Sequence, residues 1–272
     1  MLTASDILTG RDLTDTECRE FVGNCKYTEF DEVCFYNNPS FARYCIRHEH
    51  YSRILPADRA WRIAASNNFT RVLPVLNEHW AMCSMDIAMR NAVVHDSLDF
   101  IKQLRAMQYK PDADMELVAE CGSLETFKYL HGKCDKLTIQ WLDTNFSALH
   151  NGRHEILEYL ERKGHLIIHL DVRNINYATR RNQVGMVKYL VDYLTRKDRA
   201  TFNHDTLTAA VISGNPDLVE YFIQMGAKAD YETFWHAGKG NDACFETLSK
   251  YYKPSIDYSP NTLAEAGRLD ML

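Results

Sequence analysis

The side chains that could do chemistry in this chain are present in number but not in arrangement. His48-Glu49-His50 places two histidines only two residues apart. On a helix they face away from each other, unlike the i, i+4 pair of an HExxH zinc site. Cys18, Cys25, Cys34 and Cys45 are spaced by 7, 9 and 11 residues, which does not match zinc-ligand spacing. None of the eight cysteines forms a CxxC pair. The start of the chain has no basic region followed by an apolar core, so no signal peptide is expected. Buried, reduced thiols are the expectation for the cysteines. Gly238-Lys239-Gly240 lacks the upstream glycine and following Ser/Thr of a phosphate-binding loop and reads as an inter-helix turn. There is no Gly-x-Ser-x-Gly elbow and no kinase signature, and no spacing of Cys, His and Asp selects a triad. The expectation is a chain with no catalytic residue, no cofactor and no metal.

The elements that carry these residues follow a period. Turn residues recur at Asn37, Asn67, Asp96, Gly122, Gly152, Asn182, Gly214, Gly240 and Gly267, with steps of 30, 29, 26, 30, 30, 32, 26 and 27 residues. All tolerate a positive φ or bond their own backbone. Five residues after each turn stand Ala42, Val72, Ile101, Phe127, Leu157, Val187, Val219, Phe245 and Leu272. Eight after it stand Cys45, Val75, Leu104, Leu130, Leu160, Leu190, Phe222 and Leu248. Four before it stand Val33, Ile63, Ala92, Val118, Ala148, Ala178, Ala210, His236 and Leu263. Each unit therefore reads as helix, tight turn, helix, with one apolar face. A single hairpin cannot bury that face, so the units must stack. The expected fold is all-α, an α-solenoid of about eight to nine helix-turn-helix units over residues 30–272, the last incomplete. Residues 1–29 lack the pattern and read as an N-terminal capping segment. Pro74 falls inside a second helix and is expected to kink it. Trp61, Trp141 and Trp235 lie in or near first helices and are expected in the core.

The run Ala209-Ala210, Gly214-Asn215-Pro216-Asp217-Leu218-Val219-Glu220-Tyr221-Phe222-Ile223 and Gly226-Ala227-Lys228-Ala229-Asp230 resembles an ankyrin repeat. Gly122–Leu130 and Gly152–Leu160 resemble its second helix. The resemblance covers roughly residues 30–272. The Thr-Pro-Leu-His start is absent and the period is short, which is similar to the divergent repeats of amoebal protists and of the large viruses that infect them. Tetratricopeptide and HEAT units have longer periods.

The resemblance implies a non-catalytic protein–protein interaction scaffold that binds through the concave face and loops of its repeats. Residues just before each turn would look toward that face, among them Phe35, Tyr36, His95, His150, Arg180 and Arg181. Charge is uneven: residues 171–200 hold seven Lys/Arg against three Asp, whereas residues 1–36 hold three Lys/Arg against eight Asp/Glu. Arg173, Arg180, Arg181 and Lys188 are expected to form a basic patch for an acidic segment of a partner, with Phe35 and Tyr36 as an aromatic anchor. The net charge of −6 argues against nucleic acid and anionic membranes as partners, and no apolar run is long enough to span a bilayer. A cytoplasmic location is expected. Other readings are a substrate-recruiting adaptor for a ubiquitin ligase, a structural or assembly component that self-associates through its acidic start and basic later repeat, and an enzyme or an enzyme's substrate-binding arm. Because the chain stops at Leu272 inside a second helix, the repeats are expected to continue in a longer parent.

Overall fold

The computed structural model describes residues 11–24, 37–48, 57–80, 85–107, 114–134 and 139–252. Among the described residues there are sixteen α-helices and no strand. The chain divides into two compact units, Met1–Ser147 and Ala148–Leu272. The first unit contains α1 (Asp15–Asn24), α2 (Pro39–Arg47), α3 (Ala57–Ser66), α4 (Leu73–Trp80), α5 (Met85–Val94), α6 (Leu98–Ala106), α7 (Met115–Cys121) and α8 (Leu124–His131). Helix α9 (Trp141–His150) carries the boundary. The second unit contains α10 (His154–Arg162), α11 (Val172–Arg180), α12 (Val184–Arg196), α13 (His204–Ser213), α14 (Pro216–Gln224), α15 (Tyr231–Gly238) and α16 (Asp242–Tyr251).

In the first unit α3, α5 and α7 pack side by side, each with its following helix against it, and α1 and α4 pack on α2. In the second unit α11, α13 and α15 form the corresponding row. Helices α12, α14 and α16 lie against them, with α10 on α12 and α14 on α16.

Two apolar columns make the interior. In the described residues, every member of the columns five and eight after the turn is buried to 2% exposure or less except Phe245. Phe245 is half-buried and meets Phe234 edge-on at 6.1 Å between ring centroids. Cys45 is fully buried, as its place in the column requires. Burial pushes the thiols of Cys18 and Cys244 up to about 11. For Cys18, the carboxylates of Asp15 and Glu17 add to the effect.

The turns close in one recurring way. Asn68, Asp96, Gly152 and Asn182 have positive φ, and the N–H of the residue after each donates to an alanine carbonyl four residues before it. The acceptors are Ala64, Ala92, Ala148 and Ala178, at 2.7–3.0 Å, and all four alanines are fully buried. This 6→1 bond satisfies a carbonyl at the helix end, and the left-handed residue lets the chain reverse. One turn position is corrected. The left-handed residue of the second turn is Asn68 rather than Asn67, which moves Ala64 into the place of Ile63 and Leu73 and Leu76 into those of Val72 and Val75. Gly122 has φ −73°, so its turn is extended; a Cβ there would lie 2.8 Å from the Val118 carbonyl oxygen.

Pro74 does not kink α4, because the helix begins at Leu73. A proline in the first turn lacks only an N–H that has no helical partner. At the other end, Thr14 and Glu17 cap α1 reciprocally. The Thr14 N–H donates to Glu17 Oε2 at 2.9 Å, and the Glu17 N–H donates to Thr14 Oγ1 at 3.3 Å. Hydrogen bonds from Arg11, the Thr14 N–H and the Thr14 hydroxyl hold the Glu17 carboxyl down at about 2.

Candidate functional site

The side chains of the turn residues reach to the next turn. Asn37 Oδ1 accepts from the Arg71 N–H at 2.7 Å, and Asn68 Oδ1 from the Phe100 N–H at 2.9 Å. Asp96 Oδ1 accepts from the Ser123 N–H at 2.9 Å and the Thr126 hydroxyl at 2.6 Å. In the second unit Gln183 Nε2 donates to the His150 carbonyl at 3.0 Å, Asn215 Nδ2 to Asn182 Oδ1 at 2.7 Å, and Asn241 Nδ2 to the Val211 carbonyl at 2.7 Å. Adjacent hairpins are thereby held in register at the C-terminal ends of α5, α9, α11 and α13, where the candidate binding residues lie.

Those candidates separate into distinct environments. Phe35 and Tyr36 lie outside the described residues. His95 is exposed just past the end of α5, in the first unit. Arg173 sits in the first turn of α11, with its guanidinium on the capping carboxylate of Asp171 at 2.6 and 2.9 Å. That pairing lowers the Asp171 pKa and raises that of Arg173, so the charge of Arg173 is answered locally. Lys188 is exposed on α12, one turn before the exposed Asp192, and not on α11 with the arginines.

Arg180 and Arg181 remain together, both exposed at the C-terminal end of α11. Arg180 has no ion pair or hydrogen bond among the described residues. Arg181 Nη1 donates to Tyr177 Oη at 2.6 Å, and the guanidinium lies 5.3 Å from the Tyr177 ring centroid. The His150 ring meets the same tyrosine at 5.1 Å. Helix α9 thus braces Tyr177, and Tyr177 braces Arg181. Cations at these helix ends also suit the negative end of the helix dipole.

The sequence reading missed the counterpart on α15. Lys239 Nζ lies 3.5 Å from the Trp235 ring centroid. The signal was available: an aromatic residue five before the turn and a cation one before it, in Tyr177/Arg181 and Trp235/Lys239 alike. Between them on α13 the same positions hold Ala209, fully buried, and Ser213, with Ile212 41% exposed. Trp61 is fully buried as expected, whereas Trp141 and Trp235 are only half-buried.

Among the described residues no group of three or more His, Cys, Asp and Glu is placed to hold a metal ion. Among the same residues no helix is long and apolar enough to cross a membrane. No family model matches the chain, and no curated protein is significantly similar to it.

Proposed function

We propose that this chain is a non-catalytic protein-binding scaffold, a solenoid of short ankyrin-type repeats that takes its partner on the face carrying the C-terminal ends of the first helices. The observation that carries this reading is the recurrence of one joint. A left-handed Asn, Asp or Gly follows a buried alanine by four residues at Asn68, Asp96, Gly152 and Asn182. From three of those joints a side chain reaches the next turn, from Asn68 and Asp96 in the first unit and from Asn182 in the second. Such a joint spends the variable side chains on neither core nor turn, leaving the residues before it free to differ: His95 in one hairpin, Arg180 and Arg181 in another, Ile212 and Ser213 in a third. A constant interior under a variable rim is what a binding scaffold needs.

The test is affinity capture from a native lysate, comparing wild type with Arg180→Glu plus Arg181→Glu after circular dichroism shows both folded. A specific protein captured by the wild type and lost from the double variant supports the reading and its site. Failure of the wild type to retain any protein specifically would overturn the scaffold function.

A further inference from the structure

Two aromatic–cation pairs stand at the same register on α11 and α15, with α13 between them. Arg181 is held through one nitrogen by Tyr177, which leaves its Nε–Nη2 edge without a partner among the described residues. A guanidinium fixed in this way loses little side-chain freedom on gripping a carboxylate. Lys239 is held over Trp235 in the same manner, and Arg180 adds a second exposed cation beside Arg181. Between the pairs α13 carries no charge at the same register: Ala209 is fully buried and Ile212 is 41% exposed.

We infer that this second-unit rim binds an extended acidic peptide segment, running across the helix ends from Arg180 and Arg181 to Lys239, with an apolar side chain over Ile212. The inference rests on the scaffold reading and names the chemistry of its partner. Packed helices lie about 8–10 Å apart, so Arg181 and Lys239 are separated by roughly 16–20 Å across α13. An extended chain rises about 3.3 Å per residue, which puts the two acidic groups of the peptide about five or six residues apart. Asp205 and Glu232 stand at the opposite, N-terminal ends of α13 and α15, whereas the exposed Asp217 and Asp242 open α14 and α16 just past the turns. From Asp205 to Ser213 is about 12 Å at about 1.5 Å per residue, beyond the screening length of about 8 Å at physiological salt. Asp205 and Glu232 therefore do not cancel the rim. The corresponding ends of α5 and α7 in the first unit carry Val94 and His95, and Glu120 and Cys121, with no Lys or Arg.

Single-stranded nucleic acid is the less favoured occupant. Base stacking needs an open aromatic face, and here Lys239 covers Trp235 and Arg181 covers Tyr177. The whole-chain charge of −6 also opposes a long polyanion but not a short acidic segment.

The test uses the full chain and a labelled peptide with a pair of glutamates at each end, a central leucine and alanines between, read by fluorescence anisotropy. Controls are the same peptide with lysines for glutamates and a short oligothymidylate. The expected result is saturable binding of the acidic peptide alone. Arg181→Gln and Lys239→Gln each weaken it about tenfold, and the pair together about a hundredfold, as charge-assisted bonds of this kind predict. Tyr177→Phe gives a smaller loss, and Arg173→Gln and Lys188→Gln stay within about twofold. Absence of peptide binding, binding that Arg181→Gln and Lys239→Gln leave unchanged, or tighter binding of the oligothymidylate overturns the inference. If lysate capture still retains a partner that the Arg181→Gln/Lys239→Gln variant binds equally, the scaffold reading stands and only this rim is wrong.

Discussion

Replacing Asp96 tests the joint between hairpins. Its backbone sits at φ 53°, and its Oδ1 accepts from the Ser123 N–H and the Thr126 hydroxyl. Thr126 is fully buried, so the loss of Asp96 leaves its hydroxyl only the Ser123 hydroxyl, at 3.4 Å. Each net hydrogen bond is worth about 0.5–1.5 kcal/mol, more where the acceptor is charged. A left-handed conformation adds about 1–2 kcal/mol for a residue with an ordinary Cβ, less for Asp or Asn and nothing for Gly. Asp96→Ala therefore costs about 2–4 kcal/mol. Asp96→Gly loses the bonds without the strain and costs about 1–3 kcal/mol. Asp96→Asn keeps an amide oxygen and the turn preference and costs less than about 1 kcal/mol by the same reasoning. Urea denaturation followed by circular dichroism gives the three values, and a double-mutant cycle with Thr126→Val isolates the hydroxyl bond. If Asp96→Gly is as stable as wild type, the side-chain link contributes nothing. If Asp96→Ala equals Asp96→Gly, the left-handed residue costs alanine nothing, and the physical account of the turn is wrong.

Other outcomes follow from local geometry. The Glu17 carboxyl is held near 2 against its ordinary 4.5, so its contribution to the first helix is complete above about pH 4.5 and is lost as pH falls toward about 2. A carboxyl carbon NMR titration should show that midpoint, moving upward in Arg11→Ala. A Cβ at Gly185 would lie 2.5 Å from Cε1 of the His154 ring, which is one-third exposed and can turn away, so Gly185→Ala on α12 should change stability by less than about 1 kcal/mol. Denaturant midpoints of Gly185→Ala with and without His154→Ala check this; a larger loss that His154→Ala relieves would mean the ring is fixed in place. Pro74→Ala should change stability by less than about 0.5 kcal/mol, because the ring occupies the first turn of α4; a larger loss on the same measurement would mean the proline does more than start the helix.

The interior was legible because burial acts on single columns at a fixed distance from the turn, and Ala42, Ile101, Phe127, Leu157, Val187 and Val219 could be aligned without any knowledge of the backbone. The second turn slipped by one residue because Asn67 and Asn68 are the same type. Only the 6→1 bond from the Phe69 N–H to the Ala64 carbonyl selects the second asparagine. Glycine type says that positive φ is allowed, not that it is used: Gly122 has φ −73°. For the site, the sequence supplied the local excess of cations but not their separation. Asp171 claims Arg173, and Lys188 belongs to another helix, facts that depend on side-chain reach rather than on charge count. Lys239 stands just before its turn, where residues are expected to look toward the binding face, but its stacking on Trp235 four residues earlier again depends on side-chain reach.

The side-chain links between turns also bear on how the chain reaches its native state. Their partners are 34, 32 and 27 residues apart in the first unit and 33, 33 and 30 in the second. Every such link closes a loop of nearly the same modest size, with an entropic cost that varies by only a few tenths of a kcal/mol among them. No link must wait for a distant part of the chain to arrive. Within either unit, folding can therefore start at any hairpin and propagate to its neighbour, and a destabilised joint should slow the propagation step without abolishing the start.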